Sequence, residues 1–213
     1  MSGGFRYTLS SEGSTDQMLM PVINWVVEQN SELPYSGVWA NPSVFDDKSK
    51  DCKTRILQAV NYYPSELIVV HRDVDGATYD VRVKEIRDAA AEAGVVAQVI
   101  PIVPERMTEA WFLFDEPAIR LAAGSPGGTA VLSLPNHAAA QRRADPKEIL
   151  DRAILDASGA SGRKLASLRR EIVDRRQLVS ERIMDFSPLR NHASFRAFEG
   201  EMREFLRSFS EIS

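Results

Sequence analysis

The chain has 213 residues, 44% hydrophobic and 26% charged, with a formal net charge of −4. This is ordinary globular composition, long enough to bury a core without disulfides or a structural metal. A lone cysteine, Cys52, excludes a disulfide framework or a multi-cysteine zinc site within one chain. The N-terminus lacks a basic-then-apolar leader, and no apolar run nears the roughly 20 residues of a bilayer span, so a soluble, cytoplasmic protein is expected.

The first elements alternate between strand and helix. Phe5-Arg6-Tyr7-Thr8-Leu9 alternates apolar and polar residues, as a strand does. Ser10 to Asp16 is a turn-rich loop, and Met18, Leu19, Val22, Ile23, Val26 and Val27 then recur at helical spacing, with Ser14 or Thr15 as cap. Pro34 to Pro42 reads as loop with a short strand around Gly37-Val38-Trp39. Residues 48–63 form a helix that Pro64 ends. Glu66-Leu67-Ile68-Val69-Val70-His71 is a continuous β-branched run, the mark of a strand buried on both faces. Arg72-Asp73-Val74-Asp75-Gly76 follows as a loop, and residues 78–93 form a helix closed by Gly94. Val95 to Val103 is a further buried strand, stopped by Pro104. The alternation implies a parallel sheet of about four strands with helices on both faces.

The remainder is helical. A short amphipathic segment from Glu105 to Leu113 leads into a helix towards Leu121, with Asp115 as its cap. Gly124 to Pro135 is rich in Gly, Ser and Pro and reads as a boundary. Asp145-Pro146 is a strong helix start. Leu165, Leu168, Ile172, Val179 and Ile183 predict one further helix, and Phe195, Phe198, Met202, Phe205 and Leu206 form the core stripe of a last one. Two parts are expected: an α/β metal-binding domain over 1–135 and a helical, partly basic extension over 136–213 packed on it. Residues 1–140 carry 11 Lys+Arg against 18 Asp+Glu, whereas 141–190 carry 12 against 8. That asymmetry fits an acidic metal site beside a polyanion-binding face, or simply a solvated helix surface.

The acidic residues carry the chemistry. Glu12 and Asp16 follow the first strand, and Asp73 and Asp75 follow a later one. Ligands of open parallel sheets bind at the carboxyl ends of the strands, so the two loops can meet. Converging carboxylates repel unless a hard cation sits among them, and an oxygen-only set favours Mg2+ or Mn2+ over zinc. Each loop also has a plainer explanation: an acid complementing a helix dipole, or aspartates bonding their own turn. His71 reads as a buried histidine beside the acidic loop. Arg72 and Arg106 flank the acidic segments and suit phosphate, which guanidinium pairs bidentately. Arg142, Arg143 and Lys147 extend that path towards a nucleic-acid backbone.

A Glu after the first strand and an Asp-x-Asp after a later one resembles the Toprim superfamily of topoisomerases, bacterial primases and OLD-type (overcoming-lysogenization-defect) nucleases. Glu12-Gly13-Ser14-Thr15-Asp16, Asp73-Val74-Asp75-Gly76 and Met107-Thr108-Glu109-Ala110-Trp111-Phe112-Leu113-Phe114-Asp115 are further similar to a small bacterial Toprim-like family near those nucleases. The resemblance runs from residue 5 to about 155. It implies a Rossmann-like Toprim fold with Glu12, Asp73 and Asp75 as catalytic metal ligands for Mg2+ or Mn2+. Asp16 would support a second ion, and Glu109 would complete the cluster unless it is a first-turn acid. The implied activity is metal-dependent cleavage of DNA or RNA, in phage defence, with an ATPase partner or a second copy of the chain as associate. The distal catalytic lysine of the OLD nucleases has no match; Lys147 and Lys164 remain as substitutes.

Two other readings remain. A haloacid-dehalogenase-like phosphatase also places Asp-x-Asp-Gly after an apolar strand, with Asp73 as nucleophile and Asp75 as acid, but its later acidic motifs are missing here. The chain could alternatively be a non-catalytic Toprim subunit of an ATPase, since it has no phosphate-binding Gly-x-x-x-x-Gly-Lys-Ser/Thr loop of its own.

Overall fold

A computed structural model describes residues 3–74, 76–136 and 145–212. The chain forms two compact units, Met1–Glu105 with His192–Ser213, and Arg106–Asn191. The division thus falls at residue 105 rather than near 135, and the last helix belongs with the sheet. The cause is packing: residues 108–122 pack with the helices that follow them, while the aromatic stripe of the last helix covers β4 and α1.

The first unit contains β1 (Phe5–Ser10), α1 (Met20–Asn30), β2 (Tyr35–Ala40), α2 (Cys52–Tyr62), β3 (Leu67–His71), α3 (Tyr79–Ala93) and β4 (Gln98–Ile102). The strands form one all-parallel sheet in the order β2-β1-β3-β4. Every residue of β3 is buried, as its unbroken apolar run predicts for a central strand with helices on both faces. β1 divides its residues between those faces. Phe5 meets Phe205 edge-on at 5.3 Å, and the Tyr7 hydroxyl donates to Asn24 Oδ1 on α1 at 2.5 Å. Thr8, facing the other way, donates to the Tyr63 carbonyl at 2.9 Å. On that second face Ile56, Ala59, Ile68, Val70, Ile86 and Ala89 join α2 and α3 to the sheet.

Several boundaries differ from the periodicity. The first helix is preceded by a 3-10 turn, Asp16–Leu19, because Pro21 is confined to the first turn of α1. Thr15 makes no side-chain cap there. α2 starts at Cys52, where Asp51 accepts from Thr54 N at 2.9 Å, not at residue 48. α3, by contrast, ends at Gly94 as the sequence predicts, and its φ of 63° suits glycine. β4 is shorter than the apolar run 95–103, since only Gln98–Ile102 pairs with β3.

The second unit begins with a 3-10 turn, Thr108–Phe112, and then α4 (Glu116–Ala122), capped by Asp115 through Ala118 N. α5 (Pro146–Ser158) starts as expected, with Asp145 accepting from Glu148 N at 2.9 Å. The single helix expected over 165–183 is two, α6 (Gly162–Arg170) and α7 (Ile172–Arg182), which break at Glu171. Between the apolar positions Ile172 and Val179, the inward position is taken by Arg176, 4% exposed. Back in the first unit, α8 (Ala193–Ile212) buries Phe195, Phe198, Met202 and Leu206. Among the described residues, no helix is long and apolar enough to cross a membrane.

Candidate metal centre at the sheet switch point

The chain leaves β1 to one side for β2 and returns to the other side for β3. The crevice at such a reversal, outside the carboxyl ends of the strands, is where open α/β sheets bind ligands. Here the reversal lies between β1 and β3, which pair as far as Ser10 and Val70. The loop carrying Glu12 and the loop carrying Asp73 therefore leave adjacent strands.

The first loop is held tightly. Trp39 Nε1 donates to Ser11 Oγ at 3.0 Å, and Gly13 N donates to Asp16 Oδ2 at 2.8 Å. Asp16 is 8% exposed, and its burial pushes the carboxyl up, opposed by His71 and by the Gly13 hydrogen bond. The second loop turns through Gly76 at φ 79°, with Ala77 N donating to the Val74 carbonyl at 2.8 Å. Asp75 lies outside the described residues, as do Arg142, Arg143 and His137.

His71 joins the two loops. Its Nδ1 donates to the Ile102 carbonyl at 3.0 Å, which turns Nε2 towards the acids. Nε2 lies 3.4 Å from Asp73 Oδ1 and 3.9 Å from Asp16 Oδ2. Burial alone would discharge the ring, but the charges of Asp16 and Asp73 outweigh it and raise His71 to about 9. The histidine is thus buried, as its sequence position implies, yet it also neutralises the acidic edge.

Arg72 does the same for Glu12. Its Nη1 pairs with Glu12 Oε1 and donates to the Lys50 carbonyl at 2.9 Å, while Nη2 pairs with Glu85 Oε1 at 2.8 Å. Glu85 and Lys50 carried no sequence signal: their role comes from the packing of α3 and the α2 approach against the β3 loop. Only the i, i+3 spacing of Arg82 and Glu85 marks part of this network.

Glu12, Asp16 and Asp73 are all carboxylates on two adjacent loops, each beside a positive group. In the arrangement described, the positive groups are Arg72 and His71, and no cluster of three or more His, Cys, Asp or Glu among the described residues is disposed around a common metal position.

Glu109 belongs to the second unit. There it is 5% exposed and pairs with Arg176 Nη1 at 2.9 Å, while Arg176 Nε lies 3.1 Å from Asp151. This ion pair explains an acid at that position without a metal. Of the expected phosphate contacts, Arg106 and Lys147 are exposed in the same unit. Arg175 turns inward to Glu171 and the Ala122 carbonyl, so part of the basic excess of 141–190 stabilises the fold.

Fold and site together define an open, parallel α/β protein with an acidic, internally neutralised edge at its switch point. No family model, curated protein or solved structure matches the chain.

Proposed function

We propose that the chain is a Toprim-like nuclease that hydrolyses phosphodiester bonds of DNA or RNA with Mg2+ or Mn2+, acting in the cytoplasm as part of phage defence. One observation carries the reading: Asp16 and Asp73, from loops after adjacent parallel strands, face the same nitrogen of His71. Glu12, Asp16, Asp73 and Asp75 would hold the cation. Bound there, the ion would polarise the phosphoryl oxygen and make its bound water a better nucleophile. The Toprim and phage-defence parts rest on the resemblance of the Glu12–Asp16 and Asp73–Gly76 segments.

The chain's own groups supply the rest. Arg72, at the acidic edge, pairs a phosphate oxygen. The test incubates purified protein with mixed single- and double-stranded DNA and RNA, with and without Mg2+ or Mn2+. Wild type should cleave only with metal, and Glu12→Ala and Asp73→Ala should abolish cleavage. Equal cleavage by all three would remove the site. Metal binding without cleavage would instead make the chain a non-catalytic subunit that needs an ATPase partner.

A further inference from the structure

The two edges of the sheet differ in how they are guarded. At β4, Gln98 N donates to the Glu66 carbonyl at 3.1 Å, so Gln98, Ile100 and Ile102 turn their backbone groups to β3, and Val99 and Pro101 turn theirs outward. Pro101 has no N–H to offer a further strand, which is one way a sheet edge is blunted. β2 has no such guard. Phe5 N donates to the Pro34 carbonyl at 3.0 Å; in the register that pairs Phe5 with Tyr35, Ser36, Val38 and Ala40 therefore bond to β1, and Tyr35, Gly37 and Trp39 point their N–H and C=O groups outward. Among the described residues, the backbone hydrogen bond that reaches this outward set runs from Asn41 N to the Trp39 carbonyl at 2.9 Å. Ser36, Gly37 and Val38 are exposed. The run from Leu33 to Phe45 holds no Asp, Glu, Lys, Arg or His, in a chain that is 26% charged.

We propose that β2 is a dimerisation edge, pairing antiparallel with β2 of a second copy of the chain about a twofold axis at Gly37. The outward set is self-complementary about that residue. Gly37 faces Gly37 of the other copy, and Tyr35 faces Trp39, as hydrogen-bonded pairs that exchange N–H and C=O. Glycine on the axis lets the two backbones approach without side chains between them. Tyr35 and Trp39 then form an aromatic cross-strand pair on the α1 face, where Tyr35 already stacks on Tyr7 at 6.3 Å. Charge selects the partner. A twofold axis sets each charge against its own copy, so an identical partner requires an uncharged edge, and this edge has no charge with which to hold an acidic or basic peptide. The dimer needs no metal and joins the two sheets into one.

In this pairing the two Val38 side chains are diagonal neighbours on the solvent face, which makes a charge-swap test available. Sedimentation velocity follows the full chain across the micromolar range, with folding checked by circular dichroism. Wild type should be dimeric. Val38→Lys and Val38→Glu should each weaken the dimer by about tenfold, and an equal mixture of the two should restore it. Amide hydrogen exchange gives a second reading on wild type alone, and decides the matter where a Val38 variant fails to fold. The Gly37 amide should exchange slowly in the dimer and fast on dilution, whereas the Val38 amide, bonded within the chain, should stay slow throughout. A monomeric wild type overturns the proposal. So does a dimer that both charges leave intact, one that the mixture does not restore, or one in which the Gly37 amide exchanges fast.

Discussion

Nε2 of His71 lies 3.4 Å from Oδ1 of Asp73, two residues further along the chain. The contact depends on the other ring nitrogen, because Nδ1 is committed to the Ile102 carbonyl of β4. A neutral ring with its proton on Nδ1 would turn a lone pair towards two carboxylates. A second proton, on Nε2, converts that repulsion into attraction, and this keeps the ring charged despite its complete burial.

The stability of the metal-free protein should therefore fall as pH rises. The folded-state value of His71, about 9, lies above its ordinary 6.5. Its contribution is fully present below 6.5 and is lost as pH rises through about 9. Urea unfolding midpoints measured across this window should decline for wild type and change little for His71→Gln. A flat wild-type profile would show that the ring is neutral throughout.

In the second unit, Arg176→Ala should cost about 3–5 kcal/mol, because it removes a buried guanidinium that pairs with both Glu109 and Asp151. Glu109→Gln should reduce stability and leave Mn2+ affinity unchanged. Denaturant titration and Mn2+ binding separate the two properties. A loss of Mn2+ affinity in folded Glu109→Gln would return this residue to the metal ligands.

These two ion networks mark where sequence stops being informative. β3 is legible because five consecutive buried residues leave little but a central strand. Gly94 and Asp145-Pro146 are legible because capping is local chemistry. The parallel architecture and the approach of the two acidic loops follow from such signals and from the rule for strand ends. The state of the loops does not. That Glu12 meets Arg72, and Arg72 meets Glu85, depends on side-chain directions across three elements, which no spacing encodes. Arg176 is similar: inside an apolar repeat it looks like an interruption, and its acidic partners Glu109, 67 residues away, and Asp151 make it a core residue.

Gly37 gives a packing test of the sheet. It pairs with Tyr7 across β1 and β2, and a methyl group there would overlap the Tyr7 ring. The ring has little room to yield, since Tyr7 is fully buried and its hydroxyl is held by Asn24. Gly37→Ala should destabilise the protein by about 1–3 kcal/mol, as overpacking does. Thermal denaturation followed by circular dichroism measures it, and a wild-type midpoint would mean that β2 can shift away.

The last helix decides where a shortened chain can end. Phe195, Phe198, Met202 and Leu206 are each at most 1% exposed, and Phe205 and Phe209 pack against Phe5 of β1, edge-on and tilted. Burying a large apolar side chain contributes about 1.5–3 kcal/mol, so these four account for roughly 6–12 kcal/mol. A domain's whole stability is only about 5–15 kcal/mol. A chain ending at Asn191 should therefore lose the cooperative unfolding of its sheet unit, even though every strand and every residue of the acidic edge remains. Limited proteolysis should then cut within 1–105 under conditions that leave the full chain intact. Protection equal to that of the full chain would mean that the sheet is stable without α8, with its Phe5 face tolerating water.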